Sequence, residues 1–295
     1  MVYSSIAAGL ATAFFWGTAD YMSRSQSEKV GYYRTIIYSH MVTLVVILAL
    51  IPVISPNLSF PLDPVLVLVA AGVVNFVAFI FLYRAFYRGI VSVVAPVAYT
   101  YPAVTAILAV GLLGASLSLV QAVAIAGIIA GVIMMSTRFS ELHAYRRGGE
   151  APALTRGVPL AVGASLAFGT VYMGVGYAAP RVSVVLPVLF LRVFAIALGF
   201  LFAPVLKQVA RPTRLVLSKT MVAIGVLEAF GFLAFTSGIA AAGQALPVVT
   251  AISGMGGAVA ASYGIAFLKE RLEPNQLIGV ALSLAGVFAL LYFGG

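Results

Sequence analysis

Apolar residues run through this chain in long stretches, separated by short polar connections, and they recur with helical rather than alternating spacing. A bilayer core of about 30 Å takes about 20 apolar residues of helix. Ten stretches reach that length: 6–23, 31–54, 64–87, 90–113, 117–137, 157–179, 183–206, 216–239, 244–268 and 274–293. No series of short alternating strands of the outer-membrane-barrel kind stands out. The first stretch lacks a basic leader and a small-residue cleavage signal, so it is expected to remain as a helix.

One connection is longer and more polar than the rest. Residues 138–156 (RFSELHAYRRGGEAPALTR) divide the chain five stretches from five. The two sides also resemble each other in order. Trp16-Gly17-Thr18 answers Phe168-Gly169-Thr170, and Arg34 answers Arg192. The stretch 72–79 (GVVNFVAF) matches 225–232 (GVLEAFGF), and 118–132 matches 273–287. The expected organisation is therefore a first repeat over 1–137, a linker over 138–156 and a second repeat over 157–295. Five spans is an odd number, so the second copy would enter the membrane from the opposite side. The predicted fold is an all-α integral membrane protein of ten transmembrane helices, arranged as two inverted five-helix repeats around a central cavity.

Composition strengthens this picture. Of 295 residues, 62% are hydrophobic and 8% charged, against about 25% charged in soluble domains. The mean hydropathy is +1.11. A soluble protein of this size has too little interior for so many apolar side chains, which excludes a soluble enzyme or nucleic-acid-binding domain despite a net charge of +9. With no cysteine, disulfides and thiolate chemistry are excluded as well. Fifteen of the 17 basic residues fall in the first, third, fifth, seventh and ninth connections or at their edges. Positive charge is retained in the cytoplasm, so those loops are expected there, in the cytoplasmic membrane, with both termini outside.

Several motifs then resemble a known family. Trp16-Gly17 lies in helix 1, Arg34 and Arg192 lie in helices 2 and 7, Ala85 and Gly89 precede helix 4, and Pro102 lies within it. The turn Leu268-Lys269-Glu270-Arg271-Leu272 leads into Asn275-Gln276-Leu277-Ile278-Gly279 and Leu284-Ala285-Gly286-Val287. Over its whole length the chain resembles the ten-helix, EamA-like branch of the drug/metabolite transporter superfamily. The first repeat departs from the pattern, with Gly114-Ala115-Ser116-Leu117 where the second has its Glu-bearing turn, and Gly257 stands in register with Pro102. The resemblance implies a cavity formed by helices 1, 3, 4, 6, 8 and 9, alternating access, and export of small metabolites such as amino acids. It also implies that helices 5 and 10 are peripheral and available for contacts in a homodimer.

Candidate site residues are the polar groups placed where lipid would penalise them. Glu228, near the middle of its span, is a candidate for binding a substrate amine or carrying a coupling proton, or else a neutral group joining helices. Asn75 is its counterpart in the first repeat. Arg192 could hold a substrate carboxylate, neutralise Glu228 or reach the outer surface. His40 could relay protons or make an interhelical hydrogen bond. Asp20 and Arg34, near the cytoplasmic ends of helices 1 and 2, are candidates for a gate-side ion pair or else for a solvated end pair.

Helices 4 and 9 carry Pro96, Tyr99, Tyr101 and Pro102, and Gln244, Pro247, Ser253 and Gly254 to Gly257, respectively. Both are expected to break or bend at matching depths, which nominates Tyr99, Tyr101 and Ser253 for the central site. Among Trp16, Tyr21, Tyr83, Tyr172, Tyr177 and Tyr263, an interfacial belt explains several, and Trp16 is kept as a cavity candidate. No metal-ligand spacing, nucleotide loop or paired nucleophile and base occurs, so no metal, cofactor or catalytic residue is expected. The functional expectation is a secondary transporter of small organic solutes. A lipid-carrier flippase or multidrug exporter on the same fold is the alternative, and an intramembrane enzyme a remote one. The partners expected are the solute and the lipid bilayer, without nucleic acid.

Overall fold

A computed structural model describes residues 2–54, 58–113, 119–136, 139–140, 156–208, 211, 218–240 and 246–293. The regular structure among them is α-helical: α1 (Val2–Val30), α2 (Tyr32–Ile54), α3 (Leu62–Arg88), α4 (Val91–Ala98), α5 (Tyr101–Leu113), α6 (Leu119–Ser136), α7 (Val158–Val182), α8 (Leu186–Phe202), α9 (Lys219–Ala240), α10 (Leu246–Ser253), α11 (Gly256–Phe267) and α12 (Pro274–Phe293). Among the described residues six helical stretches are long and apolar enough to cross a membrane: Tyr32–Ile54, Leu62–Arg88, Val91–Leu108, Val158–Val182, Lys219–Ala240 and Val249–Phe267. Shorter apolar helices run through Ala122–Gly131, Leu186–Phe202 and Pro274–Ala289. Most of the 138–156 linker and the 114–117 turn of the first repeat lie outside the described residues.

The first helix is longer than hydropathy predicts, ending at Val30 rather than near residue 23. Its polar last third stays helical because its side chains find partners. Arg24 pairs with Glu28 at 2.8 Å and donates to the carbonyls of Phe86 and Gly89, while Gln26 accepts from the Ser218 hydroxyl at 3.2 Å. The helix stops at Gly31, whose φ of 88° is left-handed and whose N–H closes on Ser27 O at 2.9 Å.

The fourth and ninth apolar stretches are each interrupted. In the fourth, Pro102 has no N–H to offer Ala98, and the chain tightens through three-residue bonds from Thr100 N to Val97 O (3.2 Å) and Ala103 N to Thr100 O (3.0 Å). In the ninth, Met255 N bonds Ile252 O at 3.0 Å and Gly257 N bonds Gly254 O at 3.3 Å. The expected breaks thus fall at Tyr99–Thr100 and Gly254–Met255, in the register that aligns Pro102 with Gly257. The second piece of the ninth stretch lies against the first piece of the fourth. A Cβ on Gly257 would stand 2.9 Å from Pro96 Cα, so only glycine admits this approach. The start of α4 is capped from the other half of the chain: Glu270 accepts the N–H groups of Val91 and Ser92, each at 2.8 Å.

The extensive helix contacts join one half of the chain to the other. The packing of α1 on α9 is answered by α7 on α3, and α2 on α9 by α8 on α3. Similarly α1 on α10 and α11 is answered by α7 on α4 and α5, while α6 lies against α12. The main core is central, with Trp16, Phe79, Tyr83, Tyr101, Phe168, Tyr172, Phe232 and Phe235 in one cluster. The outer surface is apolar, with Val45, Val53, Leu66, Val123, Ile133 and Leu201 exposed. Exposed apolar faces of this extent call for a lipid rather than an aqueous surround.

Candidate functional site

The helices enclose a cavity at the seam between the halves. It is lined by Trp16 and Asp20 from α1, Phe79 and Leu82 from α3, Ala98 and Tyr99 at the end of α4, and Tyr101 at the start of α5. The second half contributes Phe168 and Tyr172 from α7 and Glu228 and Phe232 from α9. Its empty space is at most about 330 Å³, counting the part open to solvent. The aromatic walls stack. Trp16 lies 5.4 Å from Tyr172 at an interplanar angle of 17°, and Tyr172 lies 5.6 Å from Phe168 at 7°. Tyr101 meets Tyr172 edge-on at 4.7 Å.

Arg192 and Glu228, for which the sequence offers mutual pairing as one reading among three of the arginine, lie side by side. Arg192 Nη2 donates to Glu228 Oε2 at 2.6 Å, with side-chain exposures of 0% and 3%. The Tyr83 hydroxyl donates to the other carboxylate oxygen at 3.3 Å. The guanidinium carbon stands 4.3 Å from the centroid of Phe232 and 5.2 Å from that of Phe79, so it is held by charge and by two aromatic rings. Arg192 lies behind the cavity wall and does not line it. Among the described residues its Nε and Nη1 have no hydrogen-bond partner.

Asp20 and Arg34, which the sequence offers as a gate-side or solvated end pair, do not pair with each other. Because α1 continues to Val30, Asp20 sits well inside the helix, buried and facing the cavity. Its side-chain neighbour is the Tyr99 hydroxyl. Arg34 instead donates to the carbonyls of Arg211 at 3.1 Å and Val30 at 3.0 Å, and among the described residues the ion pairs are Arg24–Glu28 and Arg192–Glu228.

Of the residues nominated from sequence, Trp16, Tyr99, Tyr101 and Glu228 line the cavity. Ser253 lies just behind it, where its hydroxyl and that of Tyr101 are 2.6 Å apart. That bond ties the two interrupted stretches together near their breaks. His40 is fully buried with its ring edge-on to Phe79 at 4.4 Å. Its Nδ1 lies 3.3 Å from the Ser39 hydroxyl and its Nε2 is unpartnered. Asn75 is also buried, outside the cavity lining, and neither amide atom has a partner. Tyr21 and Tyr263 meet each other at 5.2 Å, away from the site, and Tyr177 carries the Arg181 guanidinium at 4.1 Å. Sequence reasoning missed Phe79, Phe168 and Phe232. Phe168 had a signal, since it occupies the place of Trp16 in the repeat alignment.

Long helices with apolar outer faces around a buried, charged, aromatic cavity define a multi-pass α-helical membrane protein. The model of the EamA-like transporter family matches residues 3–137 and again 155–292. The chain belongs to that family, within the drug/metabolite transporter superfamily, and the family is one of transporters rather than enzymes. Nineteen chains of solved structure match. One, a protein of known crystal structure, superposes over 99% of this chain and 97% of its own, with a TM-score of 0.68 at 17% identity, which speaks to the fold alone. Comparison with curated proteins gives no match.

Proposed function

We propose that the chain is a ten-helix secondary transporter that moves small organic solutes across the cytoplasmic membrane by alternating access. Its halves, 1–137 and 157–295, are inverted five-helix repeats joined by a cytoplasmic linker over 138–156, and both termini face outwards. The observation that carries the reading is the position of the cavity. Both halves wall it, and it lies beside two helices interrupted at matching positions, so rocking one half against the other would change its exposure. The reciprocal packing of α1 on α9 and α7 on α3 supports the inverted arrangement. Amino acids and related metabolites, moved outwards, are the solute class drawn from the family resemblance. The α6 and α12 pair is the proposed homodimer contact.

A lipid-carrier flippase or a large-drug exporter is the second reading. The cavity lining has no basic side chain to meet a phosphate, which favours a solute without one. The test is a proteoliposome assay following release of a mixed pool of labelled amino acids, amines and small metabolites, with and without a pH gradient. Selective release of one class supports the proposal. Folded protein that releases nothing above empty liposomes overturns it. Glu228 is the proposed coupling group. If so, Glu228→Gln removes the pH response, and a variant that keeps both its flux and its pH dependence refutes coupling through this residue.

A further inference from the structure

The charged groups on the cavity lining are Asp20 and Glu228, with no Lys, Arg or His among them. One of the two is already satisfied. Glu228 has Arg192 at 2.6 Å, and that guanidinium rests on Phe232 and Phe79. The protein has thus built one complete cation site from a carboxylate and aromatic rings, and has filled it with its own side chain. Asp20 repeats the arrangement without the cation. It is buried, and no base lies within ion-pair distance among the described residues. The groups that face it are Glu228 from α9, Tyr83 from α3, Tyr99 and Tyr101 from the broken fourth stretch, and Tyr172 from α7. The Trp16 ring lies on the same lining. Two acids against one base leave Asp20 without a counter-charge, and an ionised carboxylate in a site of low polarity is costly unless it is paired.

Building on the reading of this cavity as the substrate site, we propose that Asp20 is the counter-ion of a bound organic ammonium group. The solute is then a small amine or quaternary ammonium compound with net positive charge, not a zwitterionic amino acid. The ammonium group would meet the Asp20 carboxylate beside the rings of Trp16, Tyr99 and Tyr101, where cation–π attraction adds to charge pairing. A ligand carboxylate would meet two acids and no base on the lining, because Arg192 is behind the wall and committed to Glu228. The geometry therefore discriminates against the α-carboxylate of an amino acid while accepting its amine.

The chain carries a single tryptophan, Trp16, so its emission reports on this cavity alone. Purified full-length protein in detergent would be titrated with two matched pairs: phenethylamine against phenylalanine, and choline against glycine betaine. The expected result is a saturable change with each cation at concentrations at least tenfold below those needed for its zwitterionic partner. Asp20→Asn should weaken cation binding at least tenfold, whereas Glu28→Gln, on the exposed Arg24–Glu28 pair, should leave it unchanged. Zwitterions that bind as well as the cations, no response to either cation, or an Asp20→Asn protein of undiminished affinity would each overturn the assignment. If Asp20→Asn does not fold, the comparison on the unaltered protein decides. The same four solutes in proteoliposomes separate the two proposals. Flux of phenylalanine or betaine without cation binding sinks the ammonium site and leaves the transporter standing, and no flux of any solute from folded protein removes the transporter reading.

Discussion

Replacing Arg192 with methionine should strand the Glu228 carboxylate among apolar and aromatic groups. The two side chains are almost fully buried, and their closest atoms are 2.6 Å apart. Removing one member of a buried pair typically destabilises by about 3–5 kcal/mol, because the survivor keeps its desolvation penalty and loses its partner. That is roughly two to four powers of ten in the folding equilibrium. The ring contacts of the guanidinium with Phe232 and Phe79 add about 0.5–2 kcal/mol to the loss. Glu228→Gln should cost less, since an amide oxygen still accepts from Arg192 Nη2. The double variant Arg192→Met/Glu228→Gln removes both charges, so it should be more stable than the sum of the single losses predicts, by at least about 2 kcal/mol. Unfolding by SDS titration from detergent micelles, followed by Trp16 emission, measures all four proteins. Single losses that add to the double loss within about 0.5 kcal/mol would mean that the pair carries no coupling energy, and the account of the site as one filled and one unfilled cation position would lose its first half.

Two further outcomes follow from packing. Gly257→Ala should destabilise by about 1–3 kcal/mol through overpacking, because its Cβ would stand 2.9 Å from both Pro96 Cα and Tyr99 Cβ. Gly111→Ala in α5, where nothing lies within 4 Å, should be neutral or stabilise by up to about 1 kcal/mol, and the same titration compares them. Equal losses at both positions would refute the close crossing of the two interrupted stretches. Glu270→Ala should cost about 1–2 kcal/mol, the usual loss for an N-terminal cap, and should speed backbone hydrogen exchange at Val91 and Ser92. Unchanged exchange there would remove the cap.

Much of the architecture is legible in the residue pattern because membrane insertion is decided locally. A run of about 20 apolar residues partitions into lipid wherever it occurs, so the helical stretches can be read without knowing their neighbours. The interruptions were legible for the same reason: Pro102 removes a backbone donor, and the glycines around 254–257 weaken the helix whatever packs on it. The end of α1 was not. Hydropathy stops at residue 23, whereas the helix runs to Val30 on bonds from Arg24 to Phe86 and Gly89 and between Gln26 and Ser218, all more than sixty residues away in sequence.

The candidate site divides along the same line. Residue type and depth were enough to single out Glu228, Trp16, Tyr99 and Tyr101, since a polar or aromatic group within an apolar run stands out one position at a time. Which of them are satisfied is a property of pairs. Arg192 and Glu228 are 36 positions apart on different helices, and only the packing of α8 and α9 on the first half turns them into an ion pair, with the carboxylate on the cavity wall and the guanidinium behind it. Asp20 was visible as an acid, but its placement on the cavity rather than at a gate, and its lack of a base, depend on how α1 sits against α4 and α9. Local chemistry decides what enters the membrane and where a helix yields. Long-range packing decides which buried acid has a base beside it and which has none.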